Sequence, residues 1–339
     1  MNIPPKISFF IKLLKGQGSV LCYFFAFTIL LMTVFFCYKK TFAPGPLKSS
    51  FTLVIPKGTR TLQIVHLLAE KKIIDSPNFF HLLCRLNHKP LKAGEYTFYP
   101  WISAWEVLKI LNEGRVVVHK FRVPEGLSSF EIVTKLNMTP SLSGYIIDIP
   151  PEGTLFPSTY FFQYGEDRHT LLNRMEKAMQ ETLKVLWEGR IPNLPLKSPE
   201  EALILASIVE KETGQKDERR RIASVFLNRL RKGMPLQADP TVIYGLTYGR
   251  KLLNRSLLRG DLKQESSHNT YLLLSLPPTP ICNPGKASLE AVLHPLETKE
   301  LFFVSNGTGG HHFSHTYAKH AKHHADLRKL RKTFARPQD

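Results

Sequence analysis

The chain is short of acid. Against 46 lysines and arginines stand 28 aspartates and glutamates, a formal net charge of +18 over 339 residues. Such an excess favours a polyanionic partner: nucleic acid, an anionic membrane surface or an acidic cell-wall polymer. No cluster of interleaved aromatic and basic residues resembles an RNA-binding surface, so no nucleic-acid partner is expected. Cysteine is scarce as well. Cys22 and Cys37 lie in an N-terminal apolar run, and Cys84 and Cys282 stand alone with no CxxC. That scatter argues against a disulfide framework or a metal pair and for free, buried thiols.

Charge is missing altogether from Gly16 to Tyr38, GQGSVLCYFFAFTILLMTVFFCY, a run bounded by Lys15 on one side and Lys39 and Lys40 on the other. About 20 apolar residues suffice to span a bilayer. A cleaved signal has a shorter apolar core and a small-residue cleavage site. The run therefore predicts an uncleaved transmembrane helix over residues 1–40 with its short N-terminal stub. Lys6, Lys12 and Lys15 precede it and Lys39, Lys40 and Lys48 follow it, so flanking charge barely decides its orientation.

A linker over 41–50, centred on APGPLKSS, leads into an internal repeat. FTLVIPKGTRTLQIVHLL and HKFRVPEGLSSFEIVTKL align at an offset of 68, with Pro56 on Pro124 and Gly58 on Gly126. Each copy reads as a strand, a Pro-x-Gly turn and an amphipathic helix. Between them, Ser76-Pro77 opens a helix, GEYTFYP is a short strand, and Ser103 with Glu106 forms a capping box before a helix that Gly114 ends. Residues 51–118 thus form a small α+β module without obvious chemistry, suited to binding or positioning. Residues 119–339 form a second, mixed α+β domain.

In that domain Ser198-Pro199-Glu200-Glu201 starts a helix that is apolar on every side, hence buried, and Gly214 terminates it. Asp217 is expected to cap the next helix. The first helix ends in ASIVEKETG, carrying Glu210 and Glu212. Ser207, Ala206 and Leu203 share the face of Glu210, and Val209, Ile208 and Leu205 that of Glu212. Small neighbours leave room for a ligand beside Glu210, whereas bulky ones pack a core near Glu212. The negative end of the helix dipole raises the pKa of a carboxyl there, opposed by Lys211 and Lys216. Glu210 is accordingly the candidate general acid, beside the alternative of a paired or solvated helix-end charge.

Two rigid polar loops follow, GMPLQADPTVIYG with Gln237, Asp239, Thr241 and Tyr244, and NTYLLLSLPPTPICNPG. Their amides suit sugar hydroxyls and N-acetyl groups, or simply satisfy their own backbone. His311/His315 and His320/His324 have the i, i+4 spacing of a helical zinc pair. Gly309-Gly310 argues against a helix at the first pair and no HExxH is present, so exposed histidines on a basic tail, with Arg331, Lys332 and Arg336 near its end, are the expectation.

ASIVEKETG, SVFLNRLRKGMPLQADPTVIYGL, NTYLLLSLPPTPICNPG and FFVSNGTGGHHFSHTY, preceded by PEGTLFPSTYFF, resemble in order the blocks of the endolytic murein lytic transglycosylases. Departures are Ser266-Ser267-His268, where that family more often has Ser-Pro-Tyr, and Thr154 and Ser158. The resemblance implies a single-pass inner-membrane protein, N-terminus cytoplasmic and bulk outside the cytoplasm, with a LysM-like module ahead of the catalytic domain. It implies cleavage of the MurNAc–GlcNAc β-1,4 bond within nascent strands, 1,6-anhydro-MurNAc ends, and no cofactor or metal. Glu210 would be the single acid/base, and Gln237, Asp239, Asn228, Asn283, Ser314, Glu152 and Tyr160 would position the sugar. Glycan strands would be the partner, with cell-wall synthases as candidates. A non-catalytic glycan-binding scaffold and a zinc hydrolase using the tail histidines are the rivals.

Overall fold

The computed structural model describes the backbone of residues 5–334 and the side chains of residues 22–329. The side chains of Lys6, Lys12, Lys15, Arg331, Lys332 and Arg336 lie outside the described residues. The chain is α+β and divides into two compact units, Met1–Val118 and His119–Asp339.

The first unit opens with α1 (Pro5–Phe42). Its stretch Cys22–Phe42 is 21 residues long, has a mean hydropathy of 1.7 and is not buried inside the chain. Cys22 and Cys37 are therefore exposed on it, whereas Cys84 and Cys282 are buried free thiols. The module proper pairs β1 (Phe51–Ile55) antiparallel with β2 (Gly94–Phe98). Alternation along these strands sends Leu53, Ile55, Tyr96 and Phe98 inward, as a two-residue period requires. They meet α2 (Thr61–Glu70), α3 (Pro77–Asn87) and α4 (Ala104–Glu113) around the fully buried Phe80. Ser103 and Glu106 close the expected reciprocal box at α4, and Gly114 ends that helix at φ 73. Ser76 lends no side-chain cap to α3, although Pro77 stands in its first turn.

The second unit begins with the other strand–turn–helix copy, β3 (Val118–Arg122) and α5 (Ser129–Asn137). Gly58 and Gly126 take φ of 82 and 78 in the two Pro-x-Gly turns, a conformation only glycine adopts without strain. Short strands β4 (Leu142–Ser143), β5 (Thr159–Gln163) and β6 (Glu166–Asp167) follow; β5 pairs with β3, and β6 runs parallel to β4. Then come α6 (Arg168–Glu188) and α7 (Pro199–Glu212). Every residue of α7 from Ala202 to Val209 is buried. It is enclosed by α6, α8 (Arg219–Arg231), α9 (Asp239–Thr247) and α10 (Lys286–Leu293). Thr213, extended, ends α7 one residue before the expected Gly214. Asp217 does not cap α8: it lies in a 3-10 turn, Lys216–Glu218, that runs straight into the helix. The chain closes with the hairpin β7 (Phe302–Ser305) and β8 (His311–Ser314) and the helix α11 (Tyr317–Phe334).

Candidate active site

The two glutamates at the end of α7 meet opposite fates. The Glu210 side chain is 5% exposed. One oxygen lies 3.1 Å from the Arg219 guanidinium, itself buried. The other accepts the Gly285 N–H at 2.9 Å and the Ser288 hydroxyl at 2.7 Å. Gly285 precedes α10, so Glu210 sits at the positive end of that helix, which favours a carboxylate. Arg219 also reaches Glu125 at 3.5 Å. A Cβ at Gly285 would stand 1.9 Å from the Glu125 carboxylate, so any side chain there must push Glu125 aside. The expectation of an acid in a groove at Glu210 is corrected by this packing. The room left by its small neighbours is filled by protein, because Ser207 accepts the Ile281 N–H at 3.0 Å.

Glu212, the last residue of α7, has no hydrogen bond or ion pair among the described residues, and part of its surface reaches solvent. Burial, reinforced by the charge of Asp239 and opposed by Arg229, pushes its carboxyl up to about 8. Asp239 opens α9 and accepts the Tyr271 hydroxyl at 2.6 Å. Burial and that bond push the Tyr271 phenol well up. Arg229 is buried and donates to the carbonyls of Leu301 at 2.7 Å and Leu236 at 2.9 Å, and to Gln237 Oε1 at 3.2 Å. Burial pulls its pKa down. Gln237 holds a left-handed φ of 52, strained for a residue with a side chain, and its N–H is fixed by the Thr270 carbonyl at 3.0 Å.

Of the predicted sugar-positioning residues, the structure gathers Gln237 and Asp239 around Glu212. The rest lie elsewhere. Asn228 donates to the carbonyls of Thr298 and Glu300 and accepts from Arg231. Asn283, fully buried, accepts the Leu155 N–H and donates to the Leu127 carbonyl and Ser129. Ser314 is buried against His323 at 3.3 Å. Tyr160 donates to the Phe156 carbonyl at 2.6 Å, and burial raises its phenol to about 12. Glu152 accepts the Ser129 N–H at 2.9 Å. Burial outweighs that bond and lifts its carboxyl to about 7. It borders a cavity of about 770 Å³ shared with Tyr244 and Tyr248. Arg229 and Tyr271 are the members that sequence reasoning missed, though Tyr271 stands inside a quoted block.

His311 lies on β8, not on a helix, and its Nδ1 is 2.6 Å from Glu218. Among the described residues, no three or more His, Cys, Asp or Glu side chains gather as a metal site.

Comparison with known proteins identifies the family. A solved structure of a yceG-like protein from Listeria monocytogenes superposes with a TM-score of 0.50 at 31% identity, covering 81% of this chain and 99% of that one. The endolytic murein transglycosylase of Bacillus subtilis (strain 168) is 31% identical over 85% of this chain and 88% of its own length. Those of Streptococcus pneumoniae strains R6 and D39 are 26% identical over 78% of this chain, which spans 55% of their length. The profile of the YceG-like family matches residues 53–326, Glu212 and its neighbours included, and the chain belongs to that family.

Proposed function

We propose that this chain is an endolytic murein transglycosylase, a lyase acting on peptidoglycan. It cleaves the MurNAc–GlcNAc β-1,4 bond within glycan strands and leaves 1,6-anhydro-MurNAc ends. The names of its relatives support the reaction class. The observation that carries the mechanism is one unpaired carboxyl, Glu212, raised to about 8 by burial and by Asp239.

A hydrolase of sugars needs a second carboxylate to activate water or attack carbon. This reaction does not. Protonated at neutral pH, Glu212 gives its proton to the glycosidic oxygen as the C1–O bond breaks. The sugar's own 6-hydroxyl then bonds to C1, and its proton passes to the Glu212 carboxylate, which restores the acid. Asp239 keeps the carboxyl protonated and faces the positive charge that develops at C1. Tyr271 holds Asp239 in place, and Arg229 holds Gln237.

The strand is read by the LysM-like module of residues 51–118, ahead of the catalytic domain of residues 119–339. The α1 helix anchors the protein with its N-terminus in the cytoplasm and its bulk outside. Cutting nascent strands there ends their elongation, and cell-wall synthases are the partners such a position suits. The test is incubation with isolated peptidoglycan and mass analysis of the products. Anhydro-MurNAc ends from the unaltered chain but not from Glu212→Gln support the reading. Their persistence in Glu212→Gln with loss in a folded Glu210→Gln would return the acid to Glu210. Binding without any cleavage would favour the scaffold.

A further inference from the structure

The end of α1 does not leave the module on a loose tether. Gly45 donates to the Trp101 carbonyl at 3.2 Å and Trp101 donates to the Leu47 carbonyl at 2.7 Å. Lys40 lies 2.6 Å from Asp75. A Cβ at Gly45 would stand 2.2 Å from the Ile102 carbonyl oxygen, so the chain is closely packed as it leaves the helix. A small cavity of about 200 Å³ is lined by Phe36 and Lys39 from α1 and by Ile74 and Ala104 from the module. The first turn of α4 therefore lies alongside the last turns of α1.

That contact fixes depth. Phe36 to Ala43 is about 10 Å of helix, while the headgroup layers bring a hydrocarbon core of about 30 Å to roughly 40–45 Å in all. The apolar run ends at Tyr38. Whatever packs beside residues 36–43 lies at headgroup level. Trp105 packs on Phe42 there, and the turn from Tyr99 to Ile102, bonded to the linker at Gly45 and Leu47, adds two more aromatics; all three are open, Tyr99 64%, Trp101 56% and Trp105 41% exposed. Rings run without a break from the span to the module, Tyr38 to Phe42 at 5.1 Å and Phe42 to Trp105 at 6.0 Å. Trp101 holds φ 62, an outlier for a bulky residue, and the two bonds to the linker hold it there. Lys39 and Lys40 supply cations at the same height. Trp and Tyr are the side chains that settle at the headgroup boundary, apolar ring inward and N–H or O–H wet.

We propose that Tyr99, Trp101 and Trp105 seat the 51–118 module on the bilayer, with lipid headgroups as the partner of this face. The seat rests on the reading of α1 as a membrane anchor. It makes module and span one rigid body at the membrane surface.

The test uses the full chain in vesicles of anionic phospholipid brominated either just below the headgroup or near the bilayer centre. Two of the three tryptophans should lose most of their emission to the shallow bromines and little to the deep ones. Three variants assign them: W105F/W187F keeps Trp101, W101F/W187F keeps Trp105, and W101F/W105F keeps Trp187 of the other unit as a control. Quenching of Trp101 and Trp105 no stronger than that of Trp187 overturns the seat. Should a variant misfold, the unmodified chain still decides: emission that shallow bromines leave intact overturns the proposal. Alkaline carbonate separates the two failures. A chain it strips from the vesicles overturns the anchor itself, and a retained chain with unquenched tryptophans overturns only the seat.

Discussion

Glu210 and Glu212 stand two residues apart on one helix, yet the regions around them are built for opposite purposes. Around Glu210 both carboxylate oxygens are paired: a buried arginine, a helix N-terminus and a hydroxyl take them up. Around Glu212 a like charge stands near and, among the described residues, no donor reaches the carboxyl. The first arrangement ties α7 to α8 and α10; the second stores a proton. A helix that ends at the junction of several others can do both, because side chains at i and i+2 point to different neighbours.

Replacing each glutamate should break that comparison most sharply. Glu212→Gln keeps size and loses the proton. The expected loss in anhydro-product formation is about 10²–10⁴-fold, the usual worth of a general acid, with a melting temperature near pH 7 that rises rather than falls. Glu210→Gln should do the reverse. It leaves Arg219 buried beside a neutral amide, a change that costs roughly 3–5 kcal/mol in buried pairs and less where a second carboxylate such as Glu125 remains. Denaturant unfolding measures that loss, and the rate per folded molecule should stay near that of the unaltered chain. If Glu210→Gln instead folds stably and fails to cut, the comparison is inverted.

pH sharpens the contrast. Because burial and Asp239 raise Glu212 to about 8, the rate should fall as pH rises through that value. The sign for stability is the same. A carboxyl whose folded pKa exceeds its unfolded value of 4.5 favours the fold below 4.5, and that contribution is lost progressively up to about 8. Glu212→Gln should therefore raise the melting temperature at pH 9 and not at pH 4. Asp239→Asn removes the neighbouring charge, so the alkaline limb of the rate profile should move to lower pH, by less than the whole shift since burial remains its larger cause. The smallest effect is expected at Gly285. Gly285→Ala pushes Glu125 off Arg219 and should cost on the order of 1 kcal/mol in the unfolding midpoint, as a surface-shared ion pair does.

Much of the fold was legible. The Ser103–Glu106 box, the Ser198-Pro199 start and the all-round apolar run of α7 are local signals, and local hydrogen bonding and burial obey them. The paired Pro-x-Gly turns were legible for the same reason, since a positive φ selects glycine wherever it occurs. Asp217 misled because a cap depends on where the turn before it points, and here a 3-10 turn carries the chain straight into α8. At the site, the loop holding Gln237 and Asp239 stood out by its rigidity. Asn228, Asn283, Ser314 and Tyr160 bear the same polar groups, yet these are taken up inside the fold: by backbone groups distant in sequence for Asn228 and Asn283, by the His323 side chain for Ser314, and by the Phe156 carbonyl, close in sequence, for Tyr160.

What the sequence by itself determined was a short list: an apolar span, two strand–turn–helix copies, and a buried helix ending in two acids. Which acid is free was decided only when residues 281–288 folded back across the helix. That segment lies some 75 positions downstream, and its N–H and hydroxyl donors claimed Glu210 while Asp239 came to stand near Glu212. Periodicity tells which side chains share a face. It does not tell what will cover that face, and a carboxyl's proton is set by the groups that do.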